Sequence, residues 1–185
     1  MGAVGEAVVS PAHGRSECGD TPDGSRAYRR VGRKAGVLVT TLNPMTSLSD
    51  PRVREFLSFG TRTGKVAFTA KDGRPVVSPV WFVVEGEEIV FNTGKATAKG
   101  RAFARDGRIA LVVDHEAEPY PSVQVQGTVT LSEDPDELLR TATAIGGRYM
   151  GADRAEEFGK RNGVPGELVV RLRPTKVIAN FNATA

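Results

Sequence analysis

Turn residues divide the stretch from Arg62 to Asp114 so regularly that few folds can hold it: RTGKVAFTAKDGRPVVSPVWFVVEGEEIVFNTGKATAKGRAFARDGRIALVVD. Lys65 to Ala70 has the composition of a strand. Asp72-Gly73 is a hairpin signal, because a primed turn needs φ > 0. Pro75 to Val84 reads as the returning strand, Glu85-Gly86 as a second turn, and Glu88 to Thr93 as a third strand. The spacing predicts an antiparallel meander. It then predicts a short helix over Thr97 to Arg105 and a fourth strand over Arg108 to Asp114.

Elsewhere the signals are of the same kind. Ser49 can cap a helix whose first turn holds Asp50 and Pro51 and which ends near Gly60; Val53, Phe56 and Leu57 form its apolar stripe. Ser122 to Leu131 alternates with a period of two. Asp134 caps a further helix with Pro135 at its first position and Glu137 three residues on; Leu138, Leu139, Ala142 and Ile145 give it an apolar face. Gly151 to Arg161 predicts another short helix. Glu167 to Leu172 and Thr175 to Phe181 read as two strands parted by Pro174. The sum is six or seven short antiparallel strands with three or four short helices, without regular βαβ alternation. That is a mainly β, α+β chain and a small barrel rather than a Rossmann sheet.

Residues 1–44 differ from the rest. They are rich in Gly, with Ser, Pro and Arg scattered through, and bury too little apolar surface to offset their ordering entropy. Gly36 to Leu42 could pair weakly as a strand. The segment is either a disordered tail or an over-extended start with Met45 as the true initiator, and the second reading is preferred. The folded domain is then 45–185. Of the net charge of +3, the first 44 residues hold six Lys/Arg against four Asp/Glu, and the remainder 19 against 18. A body so nearly neutral lacks the concentrated basic face of a nucleic-acid binder. Cys18 is the lone cysteine, which precludes a disulfide within the chain and fits a reducing cytoplasm. His13 and His115 with one Cys make no zinc cluster. No apolar run approaches membrane-spanning length.

Three features could carry chemistry. Lys95 and Lys99 are four apart and share a face if the helix begins near Lys95. With Thr93, Gly94 and Thr97 beside them they form a seat for an anion at a helix start. The alternative is a solvated basic helix with Arg101 and Arg105. The second feature is the strand RPVVSPVWFVV, where mid-strand Pro79 removes a ladder hydrogen bond and implies an edge or a bulge. Ser78 and Val80 fall on one face, Pro79 and Trp81 on the other. An edge can hydrogen-bond a heterocycle lying against it, whereas Trp81 alone could equally belong to a core or a dimer contact. The third is Ser122, Gln124, Gln126 and Thr128 on one strand face, with Gly127 marking a close approach; these could equally face solvent. Asp114, His115, Glu116, Glu118 and Tyr120 cluster in one loop without a spacing that specifies a mechanism. GxSxG, GxGxxG and Walker patterns are absent. Any hard chemistry therefore belongs to a bound cofactor, and no catalytic residue is assigned.

Together, TGKVAFTAKDGRPVVSPVWFVVEGEEIVFNT, TAKGRAFARDGRIALVVD and VQVQGTVTL resemble the pyridoxamine 5'-phosphate oxidase-like split β-barrel superfamily. Closer still is its actinobacterial branch that uses the deazaflavin coenzyme F420. RYMGADRAEEFGKRNGVPGELVVRLRPTKVIA resembles one subfamily of that branch, and the likeness runs from about residue 48 to 182. It implies an FMN-binding-like split barrel and a homodimer with cofactor sites at the subunit interface. It implies Lys99 on the cofactor phosphate with Thr93, Lys95 and Thr97 nearby. Val77 to Trp81, hence Ser78, Pro79, Val80 and Trp81, would line the ring, and Gln126 and Gly127 would lie near the site from the partner subunit. The implied function is hydride transfer from reduced F420 to an unsaturated organic substrate. An FMN-binding oxidoreductase, or a non-enzymatic deazaflavin carrier or sensor, are the alternatives. Relatives often carry Arg-Asn-Leu after the lysine; Arg101, Ala102 and Phe103 stand here. Pyridoxamine phosphate oxidation itself is not expected, since the neutral tail FNATA offers nothing to hold a second phosphate.

Overall fold

The computed structural model describes residues 46–184; the tail or over-extended start and the weak strand expected within residues 1–44 lie outside them. Seven antiparallel strands among the described residues form one sheet in the order β2-β1-β5-β6-β7-β4-β3. They are β1 (Gly64–Thr69), β2 (Pro75–Val80), β3 (Val83–Glu85), β4 (Glu88–Gly94), β5 (Arg108–Asp114), β6 (Ser122–Ser132) and β7 (Glu167–Asn180). The helices are α1 (Pro51–Ser58), α2 (Ala98–Arg105), α3 (Pro135–Met150) and α4 (Ala155–Asn162), with a 3₁₀ turn over Ala152–Arg154. None of these helices is long and apolar enough to cross a membrane.

The local chemistry follows the residues. The β1–β2 hairpin turns at Gly73, whose φ of +86° a side chain would resist. Asp50, not Ser49, caps α1: its Oδ1 accepts from Arg52 N at 2.9 Å. Asp134 caps α3 by accepting from Glu137 N at 2.8 Å, as expected.

The meander is not what forms. β2 and β3 are the two edges of the sheet, and only Trp81 and Phe82 separate them in the chain. A two-residue tie between opposite edges forces the sheet to curl into a split barrel. The break leaves Phe82 without ladder partners, and α3 supplies them. Tyr149 Oη accepts from Phe82 N at 3.3 Å, and Arg148 Nη1 donates to Phe82 O at 2.8 Å. Arg148 also reaches Leu57 O and Gly60 O at 2.6 and 3.0 Å, fastening the end of α1 to the same corner.

The two terminal strands expected are likewise one. β7 runs through Pro174 by bulging: Gln126 and Gly127 of β6 face Lys176 and Pro174, which leaves Thr175 of β7 as the extra residue. A bulge absorbs the ladder bond that proline cannot make. A Cβ on Gly127 would collide with the Arg173 carbonyl oxygen, so the close approach there is made by β7 itself.

Inside the barrel, Val66, Leu111, Val113, Val123, Val125, Phe91 and Leu172 are buried in one cluster. Phe103 of α2 stands edge-on to Phe68 and Phe91, at centroid distances of 5.6 and 5.9 Å. α3 lies on the other face of β4 and β7, where Leu138 meets Val90 and Val169.

Candidate functional site

A cavity of about 380 Å³ opens beside edge strand β2, within the range of small-molecule sites. Pro79, Val80 and Trp81 form one wall; Ala142 and Ile145 of α3 form another. Asn92 of β4, Lys99 of α2 and Glu167 at the start of β7 bring polar groups to it.

Local capping places Lys99. The Thr97 hydroxyl donates to Gly94 O at 2.7 Å and accepts from Gly100 N at 3.1 Å, so α2 starts after Thr97 and Lys99 is its second residue. Lys95 N donates to Gly166 O at 2.8 Å, pinning this loop to the start of β7. The half-buried Lys99 ammonium donates to Ser78 Oγ at 3.0 Å. No carboxylate among the described residues stands within 4.0 Å of it. Burial pulls the Lys99 pKa down, and the charge of Glu167 partly restores it. Burial pushes the Glu167 carboxyl up, against the opposing pull of Lys99. The two groups therefore share a weakly solvated space without forming a close pair.

Asn92 adds an unsatisfied donor. Its Oδ1 accepts from the Thr141 hydroxyl at 3.0 Å, while its buried Nδ2 has no partner. Such an atom costs free energy unless a ligand or water meets it. Trp81 gives the cavity a stiff edge: its ring stacks on Tyr149 at 4.9 Å and 4°, and leans on Phe158 at 6.2 Å.

Of the residues singled out from the sequence, Lys99, Pro79, Val80 and Trp81 meet on one cavity, and Ser78 touches the Lys99 ammonium. Thr93 is buried beneath them, its hydroxyl 3.4 Å from that of Thr97. Lys95 goes elsewhere. It precedes α2, so it shares no helix face with Lys99, and its exposed ammonium pairs with Glu133 at 2.7 Å. Gln126 and Gly127 sit on β6 across from Lys176 and Pro174, off the cavity wall. Asp114 pairs with Lys65 at 2.5 Å, and neither it nor His115 lines the cavity. Ala102 is buried in the core, so this chain packs a methyl group there.

A family model of pyridoxamine 5'-phosphate oxidase matches residues 49–181. The chain belongs to this family. Solved structures agree with its fold. A conserved hypothetical protein from Mycobacterium tuberculosis is 20% identical, with 76% of this chain and 89% of that one covered and a TM-score of 0.64. An F420 reductase is 25% identical, with 67% and 94% covered and a TM-score of 0.53. A heme storage protein from Vibrio cholerae is 18% identical, with 70% and 92% covered and a TM-score of 0.56. No protein of curated function matches the sequence.

Members of the pyridoxamine 5'-phosphate oxidase family take flavin-type cofactors, and the residues here suit one. Lys99 and Asn92 line a cavity beside a strand edge unpaired among the described residues, and Ser78 holds the Lys99 ammonium. An oxygen-rich anionic tail and a heterocycle with ring carbonyls are what such a set can satisfy. Sequence reasoning missed Asn92, Glu167 and Asn162. Asn92 follows the apolar run Ile89–Phe91 of β4, and Glu167 opens β7; only the pairing of β4 with β7, which sets Gly94 opposite Glu167, brings them to Lys99.

Proposed function

We propose that this chain is an F420-dependent oxidoreductase acting on an unsaturated organic substrate. The observation that carries the reading is Lys99: a half-buried ammonium, held by Ser78, with no close carboxylate partner among the described residues. It stands at one end of a cavity whose side is an open strand edge. An ammonium in such a place is poorly solvated and gains from an anionic ligand. The likeness to an F420 reductase supports this choice of flavin.

In this reading Lys99 holds the phosphate of the cofactor tail, and Ser78 fixes where the ammonium stands. Among the described residues β2 pairs on one side alone, with β1. Its other side is left to hydrogen-bond the ring along Val77 to Trp81. The Trp81–Tyr149 stack fixes the aromatic wall at one end of the cavity. Reduced deazaflavin, when bound, supplies the hydride and reacts sluggishly with oxygen. Thr93 and Thr97 shape the phosphate loop, and Lys95 stays outside the wall, its charge met by Glu133.

Gln126 and Gly127 lie off this cavity, so contact with the cofactor would require a second copy of the chain. The proposed working unit is accordingly a homodimer with cofactor sites between subunits, in the cytoplasm. Light scattering should show a dimer; a stable cofactor-loaded monomer would contradict the shared site.

Fluorescence titration of the apo-protein with F420 and FMN in parallel tests the cofactor. The reading expects tighter F420 binding, and turnover of reduced F420 with an unsaturated acceptor. Tighter FMN binding, with a yellow purified protein, would select the FMN oxidoreductase instead. Tight F420 binding with no acceptor able to oxidise the reduced form would select a carrier or sensor.

A further inference from the structure

Glu167 is out of place in a seat for an anion. It opens β7 opposite Gly94, and its Oε1 lies 3.3 Å from where a Gly94 Cβ would stand. Its carboxylate therefore sits over the loop that leads into α2, on the same cavity as Lys99. Among the charged groups there, Lys99 contributes one positive charge and Glu167 one negative. Lys95, on the loop beside them, is paired outward to Glu133 at 2.7 Å. Among the described residues no histidine lines the cavity, and Asn162 at the end of α4 is neutral.

We propose that Glu167 makes this seat selective for singly charged phosphodiesters over doubly charged phosphomonoesters. The inference rests on reading the cavity as the seat of the cofactor phosphate. A phosphomonoester carries a charge of about −1.5 to −2 at neutral pH, since its second pKa is about 6. A phosphodiester has no second proton to lose and carries −1. Attraction to the seat grows in proportion to ligand charge, whereas the cost of leaving water grows with its square. A seat with net charge near zero cannot offset the larger desolvation of a dianion. A seat with Lys99 alone would be cationic, and would reward the dianion about twice as strongly as the monoanion.

FMN ends in a phosphomonoester, and its methyl ester is a phosphodiester with the same ring and side chain. Titrating the full chain with both, by flavin fluorescence, isolates that one charge. The wild-type protein should favour the methyl ester severalfold at pH 7.5. The preference should fade near pH 5, where FMN is also singly charged. Glu167→Gln should tighten the diester about threefold and FMN about tenfold, twice the gain on a logarithmic scale. Glu167→Asp, which keeps the charge, should keep the wild-type ratio. Equal affinity of the wild type for the two esters, equal gains in the Gln variant, or binding of neither ester overturns the inference. Should the Gln variant not fold, the wild-type preference and its fading at pH 5 decide alone. An ester preference that persists while F420 itself fails to bind would overturn the cofactor assignment and leave the charge selection standing.

Discussion

Arg171 and Lys99 are both partly buried cations beside β7, and their surroundings are opposite. Arg171 is surrounded by Glu137 at 2.6 Å, Glu85 at 3.1 Å and Glu88 at 3.4 Å, carboxylates drawn from α3, β3 and β4. Lys99 has a neutral hydroxyl at 3.0 Å and shares its cavity with the neutral side chain of Asn92. The fold thus spends several carboxylates on bracing the β3–β4–β7 corner and leaves none in contact with Lys99. A saturated cation holds elements together; an unsaturated one beside a cavity is set to meet something from outside.

Arg148 sharpens the contrast most. It donates to three carbonyls around the Trp81–Phe82 tie. Arg148→Met should cost about 2–4 kcal/mol of stability, read from the denaturation midpoint; an unchanged midpoint would show that the tie holds without it. Arg171→Met should cost about 1–3 kcal/mol, discounted for partial exposure, with F420 affinity unaltered. A binding loss matching the stability loss would erase the distinction between brace and seat. Ser78→Ala should weaken F420 by about 0.5–1.5 kcal/mol, the worth of one hydrogen bond, and isothermal titration would detect it. Lys99→Met should shift stability by less than about 1 kcal/mol, because no ion pair is lost; a large fall in melting temperature would make Lys99 a structural residue.

The smallest effect concerns acid. A hydrogen bond with Ser132, joined by Arg171 and opposed by burial, holds the Glu137 carboxyl below the usual carboxylate range. A pKa depressed on folding contributes stability that is present above the unfolded value and lost as pH falls through the folded one. Wild-type stability should therefore decline on acidification below that range, and Arg171→Met should make the decline shallower. An identical acid profile would remove Arg171 as a cause.

Much of this architecture was legible because its signals are local. Asp72-Gly73, the cap at Asp134 and the alternation of β6 each depend on residues within a few positions of one another. The split between β2 and β3 was not, because the groups that satisfy Phe82 are Arg148 and Tyr149, 66 and 67 residues away. Pro174 read as a strand end since the bulge at Thr175 that carries β7 past it shows only in the pairing with β6. At the site, residue type and spacing marked Lys99 and the strand from Ser78 to Trp81 only as candidates, and the family resemblance assigned them to a cofactor. Lys95 looked equivalent to Lys99 until Thr97 fixed the helix start and Glu133 claimed the ammonium. Asn92 and Glu167 carried no sequence signal, because strand pairing alone delivers them to the cavity.

Calorimetric titration of F420 into wild-type and Lys99→Ala proteins tests the anchor itself. The proposed seat requires the variant to bind about 1.5–3 kcal/mol more weakly, roughly 10- to 150-fold in Kd, with its melting temperature preserved. An equal Kd in the two proteins would contradict it.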